Sequence, residues 1–249
     1  MITLVSVTFN AQATLPRTLH SVEQQDCDAI QHIIMDGGSK DDTVAIAEAY
    51  RQRVAGRYEV IIVSEPDRGL YDAMNKALRL ATGDYICFLN AGDKLHSAST
   101  ISQILRVADA DKVGVIYGDT DIVDDEGRKL RNRRLTPPEC LTWRSFRSGM
   151  LVCHQAFYAN RRIAQQYNLT YRFSADFDWC IRSMKEGEHL GMSNIYLRTP
   201  LADYLSEGMT TANHKASLRE RFHIMCLHYG TLPTVLQHLW FIIRSIIKK

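Results

Sequence analysis

Continuous apolar, β-branched runs recur through the first ninety residues, and each stops at a short polar turn. The run at 2–9 closes on Thr8-Phe9-Asn10, and that at 32–35 on Asp36-Gly37-Gly38-Ser39. The run at 60–64 closes on Glu65-Pro66-Asp67-Arg68-Gly69, and that at 85–89 on Asn90-Ala91-Gly92-Asp93. Unbroken runs of this length read as strands buried on both faces. Between them the pattern changes to a helical one. Leu15, Leu19 and Val22 form a stripe behind Thr14 as N-cap and Pro16 in the first turn. Asp41 or Asp42 caps a helix that ends near Gly56, and Leu70, Met74, Ala77 and Leu78 share one face of a third, with Gly83 expected as its left-handed stop. Asp72 and Asn75 share another face of that helix, and Asp72 stands four residues before Lys76, the spacing of an intrahelical ion pair. Three strand-then-helix units in succession predict an α/β fold with a mostly parallel sheet flanked by helices.

The second half is less regular. A strand at 113–117 leads through Asp119-Thr120-Asp121 to Asp124-Asp125-Glu126-Gly127, a hairpin turn signal, and then to a basic arm at 128–134 read as solvated. Pro137-Pro138 breaks the pattern, so the fold is expected to depart from a wound sheet between 135 and 171. Near the end, Val235, Leu236, Leu239, Trp240, Ile243, Ile246 and Ile247 recur at helical spacing before Lys248-Lys249, interrupted by Gln237, His238 and Arg244. A bilayer span needs about 20 mostly apolar residues. This tail is therefore expected either to pack on the rest of the chain or to lie along a membrane surface.

Composition narrows the picture. The 249 residues suit one large or two small domains, and 45% hydrophobic with 23% charged residues excludes a disordered or fibrous chain. A formal charge of +2 gives no reason to expect a nucleic-acid partner. The six cysteines show no C-x-x-C or zinc spacing, and the first residues read as a strand rather than a signal peptide; together they predict free thiols in a cytoplasmic protein.

The chain has no dinucleotide fingerprint, P-loop, H-E-x-x-H or G-x-S-x-G. It has carboxylates at successive strand ends instead: Asp36, Asp67 and Asp93. In open α/β sheets ligands gather outside the carboxyl ends of the strands, and oxygen donors there suit a nucleotide diphosphate bridged by Mg²⁺ or Mn²⁺. Asp119 and Asp121, two apart on a strand, are a competing pair. Asp176 follows Ser174 at a helix start, where a carboxylate is favoured by the dipole as well as by any chemistry.

The order and spacing of these motifs resemble the family 2 glycosyltransferases of GT-A fold, among them bacterial exopolysaccharide enzymes of the colanic acid type. The resemblance runs over roughly the first 210 residues, through residues 5–10, 36–43, 64–76 and 88–93, then His154-Gln155 and 174–179. It implies a Rossmann-like GT-A catalytic domain at 1–212, with a nucleotide-binding half at 1–120 and an acceptor half at 121–212, and a helical tail at 213–249. It places Thr8, Asn10, Asp36, Asp67, Arg68, Asn75 and Asn90 about a nucleotide sugar, with Asp36 accepting a hydrogen bond from the base. Asp93 becomes the ligand of Mg²⁺ or Mn²⁺. The usual D-x-D triplet reads Asn90-Ala91-Gly92 here, with its carboxylate displaced to Asp93. Asp176 becomes the catalytic base with Asp178 in support, although Ala175 stands where a glutamate is usual. His154 and Gln155 fall on the acceptor side, and residues 207–211 on a loop that closes over substrate. The implied activity is inverting transfer from a nucleotide-diphosphate sugar, expected to be a UDP-sugar, to a lipid-linked glycan acceptor in surface polysaccharide synthesis. Its place would be the cytoplasm or the cytoplasmic face of the inner membrane, with the tail in peripheral contact. The alternatives are a catalytically silent nucleotide-sugar-binding module, suggested by the missing aspartate, and a nucleotidyltransferase.

Overall fold

The computed structural model describes residues 1–124, 126–205 and 214–247. Asp125 of the expected hairpin turn, the expected closing loop at 207–211 and the terminal lysine pair lie outside the described residues. The four runs that end at polar turns are parallel strands: β1 (Ile2–Thr8), β2 (Ile30–Asp36), β3 (Glu59–Ser64) and β4 (Tyr85–Phe88). The helices between them are α1 (Leu15–Glu23), α2 (Thr43–Arg53) and α3 (Leu70–Leu80). Every residue of β1, β2 and β4 is buried, which is why they read as continuous apolar runs rather than alternating ones. The chain steps outward from β1 to β2 and β3, then returns to pair β4 with the other edge of β1. That reversal makes a crevice between the ends of β1 and β4, the switch point at which such sheets bind ligands. The register keeps the ends level, Thr8 opposite Asp36 and Asp36 opposite Ser64.

Beyond β4 come β5 (Lys94–Leu95), α4 (Thr100–Val107), β6 (Val113–Val123), β7 (Lys129–Asn132), β8 (Phe157–Asn160), α5 (Ala175–His189) and β9 (Ser193–Leu205). The sheet order is β3-β2-β1-β4-β8-β6-β9-β5, with β7 paired to β6 as the expected hairpin. β8 enters antiparallel between β4 and β6, and the segment before it forms 3-10 turns at Trp143–Ser148 and His154–Ala156. The wound pattern therefore lapses within 135–171, as the prolines suggest. β6 and β9 run parallel with shifts of register about Asp119, and a side chain on Gly118 would lie 2.5 Å from Leu201. Glycine is required there by close approach.

Two local expectations change. Gly83 does not end α3 in a left-handed conformation, since α3 stops at an extended Ala81. Gly83 is needed because a Cβ there would come within 2.6 Å of the Thr3 backbone nitrogen. Asp72 pairs with Arg68 at 3.1 Å, while Lys76 turns to Glu65 at 2.8 Å. Asp72 also accepts from the Arg68 backbone N–H, so it serves the uncapped start of α3 rather than the helix face.

The C-terminal segment forms α6 (His214–Tyr229) and α7 (Thr231–Ile247). α6 belongs to the main core: Ile224, Met225 and Tyr229 are buried in it, and Tyr229 stacks on Trp143 with its hydroxyl on the Trp143 carbonyl at 2.6 Å. α7 buries Thr234 but leaves most of its large apolar residues exposed. Among the described residues no helix is long and apolar enough to cross a membrane.

Candidate active site

The end of β2 is organised by one carboxylate. Asp36 is buried and accepts hydrogen bonds from the Thr8, Ser39 and Ser64 hydroxyls and from the Gly38 and Ser39 backbone N–H groups. Burial alone would raise this acid, but the hydroxyl and amide donors outweigh it and hold Asp36 below the usual carboxylate range. A carboxylate offers about four lone-pair directions. Asp36 is thus already filled by its own chain, and its structural effect is to clamp the ends of β1, β2 and β3 together.

Around it the loops are stitched side chain to backbone. Asn10, in the left-handed region at φ 47°, accepts from the Lys40 N–H at 2.9 Å while its own N–H reaches the Ser39 hydroxyl. Asp41 caps the start of α2 through Thr43 and also takes the Gln12 N–H. Asp67 lies over Gly37, where a Cβ would fall 2.6 Å from its carboxylate, and accepts from the Gly69 N–H at 2.7 Å. Phe9 sits beside the same glycine with 64% of its surface exposed. Arg68 is exposed and tied to Asp72. Thr8, Phe9, Asn10, Asp36 and Asp67 therefore share one rim.

At the end of β4 the turn is held by Thr18 of α1, whose hydroxyl donates to the Asp93 carbonyl at 2.6 Å and accepts from the Gly92 N–H. Gly92 takes φ 102°, which glycine adopts without strain. Asp93 is buried, with one oxygen on the Gln155 amide at 2.6 Å and the other on the Leu205 N–H at 3.2 Å. Burial pushes its carboxyl up to about 7, against the pull of Gln155, Leu205 and Arg17. Asn90 has a side-chain oxygen that is buried and has no hydrogen-bond partner among the described residues. An orphaned buried acceptor is costly unless something fills it.

Asp176 lies in the first turn of α5 and is half-buried. The Tyr71 hydroxyl donates to its Oδ1 at 3.1 Å. Burial, and then the Asp176 charge, raise Tyr71 well above its ordinary range, so it stays a donor. The turn ahead of Asp176 is held from behind by Glu220 of α6, whose carboxylate accepts the N–H groups of Arg172, Phe173 and Ser174 at 2.8 to 2.9 Å. Ser174 also bonds the Ser217 hydroxyl.

An aromatic wall joins these regions. His154 stacks on Phe88 at 5.1 Å and meets the Tyr167 hydroxyl at 2.7 Å; Tyr167 stacks on Tyr71 at 5.4 Å, and Tyr71 reaches Asp176. Burial holds His154 below the usual histidine range, hence neutral. Tyr204 lies within the field of both acids: burial, with the charges of Asp93 and Asp176, raises it to about 12.

Two expected site residues are spent elsewhere. Asp178 accepts Arg182 at 2.7 Å and His228 at 2.8 Å, clasping α5 to α6. Residues two apart on a helix do not face the same way, so Asp176 and Asp178 cannot act as one pair. Asn75 gives both ends of its amide to the Tyr167 backbone, which fixes the aromatic wall to α3. Sequence reasoning missed Phe9, Tyr71, Tyr204 and Glu220. An aromatic wedged between Thr8 and Asn10 was a usable signal for the first; the others are defined only by distant partners.

The oxygen set at the β4 end can be tested against a divalent cation. Asn90 offers an unfilled oxygen and Asp93 a carboxylate with lone pairs to spare, which fits a cation, but Gly92 replaces a second carboxylate. A separate group, His96, Asp121 and Asp203, brings its ligand atoms within 4.8 Å of one another. Lys94 holds Asp203 at 3.0 Å and Lys129 holds Asp121 at 2.8 Å, so we read it as an ion-pair network. Asp119 bonds Tyr196 instead, and the two aspartates of the competing pair serve different partners. Both line a cavity of about 230 Å³ between β6, β7 and residues 133–137.

The sequence model of the family described as Glycosyl transferase family 2 matches residues 3–176. A PGL/p-HBAD biosynthesis glycosyltransferase of Mycobacterium tuberculosis is 33% identical over 186 residues, covering 73% of this chain and 69% of the relative. The amylovoran biosynthesis glycosyltransferase AmsB of Erwinia amylovora is 27% identical over 216 residues, covering 83% and 70%. Among solved structures, S. aureus TarS in complex with UDP superposes with a TM-score of 0.68 at 14% identity; 90% of this chain is covered, and it spans 65% of that structure. The mannosyltransferase PcManGT from Pyrobaculum calidifontis, in complex with GDP-Man and Mn²⁺, gives 0.63 at 15% identity, with 95% and 73% covered. At these identities the likeness is one of fold, and the fold is GT-A.

Proposed function

The chain belongs to glycosyl transferase family 2, and from that membership we propose inverting transfer of a sugar from a UDP-sugar to a hydroxyl of a lipid-linked glycan acceptor. The setting is surface polysaccharide synthesis at the cytoplasmic face of the inner membrane. The observation that carries this reading is the run of contacts from Asp93 to Gln155, the chain neighbour of His154, and from His154 through Tyr167 and Tyr71 to Asp176, which ties both acids to one aromatic wall. The UDP and UDP-GlcNAc bound by TarS support the choice of donor.

In this reading Thr8, Asn10, Asp36 and Asp67 form the nucleotide rim, and the open face of Phe9 stacks on the base. A base N–H competes with the Ser39 hydroxyl for Asp36. Asp176 takes the proton of the acceptor hydroxyl as that oxygen attacks the anomeric carbon. Tyr71 holds one oxygen of Asp176 so that the other faces the acceptor. His154 and Gln155 shape the acceptor side, and Gln155 fixes the rotamer of Asp93. Asn90 and Asp93 are the residues that would hold Mg²⁺ or Mn²⁺, which when bound offsets the charge of the diphosphate leaving group.

The test is release of nucleoside diphosphate from a panel of nucleotide sugars with Mg²⁺ or Mn²⁺. Release from a UDP-sugar is expected, and Asp93→Ala should remove the metal-dependent part of donor binding in calorimetry. Donor binding with no release would favour the silent module, a second reading supported by Asn90 standing where the first aspartate of the metal triplet is usual. Pyrophosphate as product would indicate nucleotidyl transfer.

A further inference from the structure

We propose that α7 is a seat for an anionic membrane surface. Leu232, Val235, Leu236, Leu239, Trp240 and Ile243 are each 38 to 71% exposed. At 100° per residue they cover an arc of roughly 140°, a wide apolar stripe. The opposite side of the same helix is occupied. Thr234 is buried, His238 packs on Phe222 of α6 at 5.0 Å, and the ring of Phe241 meets His238 at 5.4 Å. The stripe is therefore the free face of a helix already docked, not an undocked helix.

Charge selects the occupant. Residues 213–249 carry six lysines and arginines and one acid, Glu220, a net of +5, whereas the whole chain carries +2. The remaining 212 residues thus carry −3. Glu220 is the one acid among them, and its carboxylate is turned to the backbone of 172–174. A second copy of this chain would bring two such tails together and repel. Anionic lipid headgroups attract the basic residues while the apolar stripe sinks among the acyl chains, and the two contributions add. The seat is argued from the exposed stripe of α7 and the sequence charge of residues 213–249, and does not depend on the transferase reading.

The experiment is flotation of the full chain with phosphatidylcholine vesicles, with and without phosphatidylglycerol, at low and high salt. The wild type should float with the anionic vesicles and lose binding as salt rises. The double variant Leu236→Glu with Trp240→Glu should float at least about tenfold less, because each change removes an exposed anchor. Its melting temperature and nucleotide binding should match the wild type, as both side chains face solvent. Failure of the wild type to float, or equal flotation by the folded variant, overturns the proposal. So does a salt-insensitive dimer that the variant dissolves, which would assign the stripe to a second copy.

Discussion

The rim at the ends of β1 to β3 and the region around Asp93 and Asp176 are built on opposite plans. On the rim, polar side chains meet partners on the next strand or the next turn: the donors to Asp36 come from Thr8, Gly38, Ser39 and Ser64. Around Asp93 and Asp176 the partners are remote. Tyr71 and Asp176 are 105 residues apart, Asp93 and Gln155 62, and Ser174 and Glu220 46. The first plan gives a rigid cradle that forms as the parallel strands align. The second makes the position of Asp176 depend on α6 as well as on its own helix.

Substitutions can separate the halves. The largest effect is expected for Asp176→Asn, which should lower transfer by about 10³-fold, the scale of a lost general base, with calorimetric donor affinity unchanged. Loss of donor affinity as well would erase the distinction between the halves. Glu220→Ala strips three backbone N–H groups of their acceptor and should cost about 3 kcal/mol in urea unfolding while depressing turnover more than donor affinity.

Asp93→Asn comes next. The folded carboxyl of Asp93 titrates near 7 against an ordinary 3.8, so the folded state favours its proton and wild-type stability is lost as pH rises through that window. The asparagine variant stays neutral, and its relative stability should grow from about pH 4 to pH 7 by about 3 kcal/mol and then level off, while its weakened hydrogen bond lowers the whole curve without changing that rise. Melting temperatures measured across pH check this, and a flat difference would mean the carboxylate is comfortably solvated. The smallest effect is for Tyr71→Phe. The lost hydroxyl frees that oxygen of Asp176 to turn, so turnover should fall by about tenfold with calorimetric donor affinity unchanged. Unchanged turnover would leave Tyr71 a purely packing residue.

These plans also explain what the sequence disclosed. The parallel core, the turns at 36–39 and 90–93 and the hairpin at 124–127 could be read because each depends on neighbours in the chain or on strand periodicity. Asp36 and Asp67 were legible as a pair of strand-end acids, though not that one would be saturated by hydroxyls. Asp178 and Asn75 were legible as polar types that suit a site, but not as the partners of His228 and the Tyr167 backbone, which lie 50 and 92 residues away. Glu220 carried no signal at all, being an ordinary acid in a helix with no motif. Gly83 had the right identity and a different reason, because its contact with Thr3 crosses 80 residues.

The clasp between α5 and α6 bears on how this chain tolerates shortening. Composition invites a cut near residue 212, where the resemblance to the catalytic family fades. A chain ending there would uncover the core beneath Ile224, Met225 and Tyr229 and leave Asp178 buried without His228. The cradle at β1 to β3 would survive such a cut better than the turn of Asp176. A trimmed protein of this kind should therefore still capture a nucleotide while having forgotten how to use it.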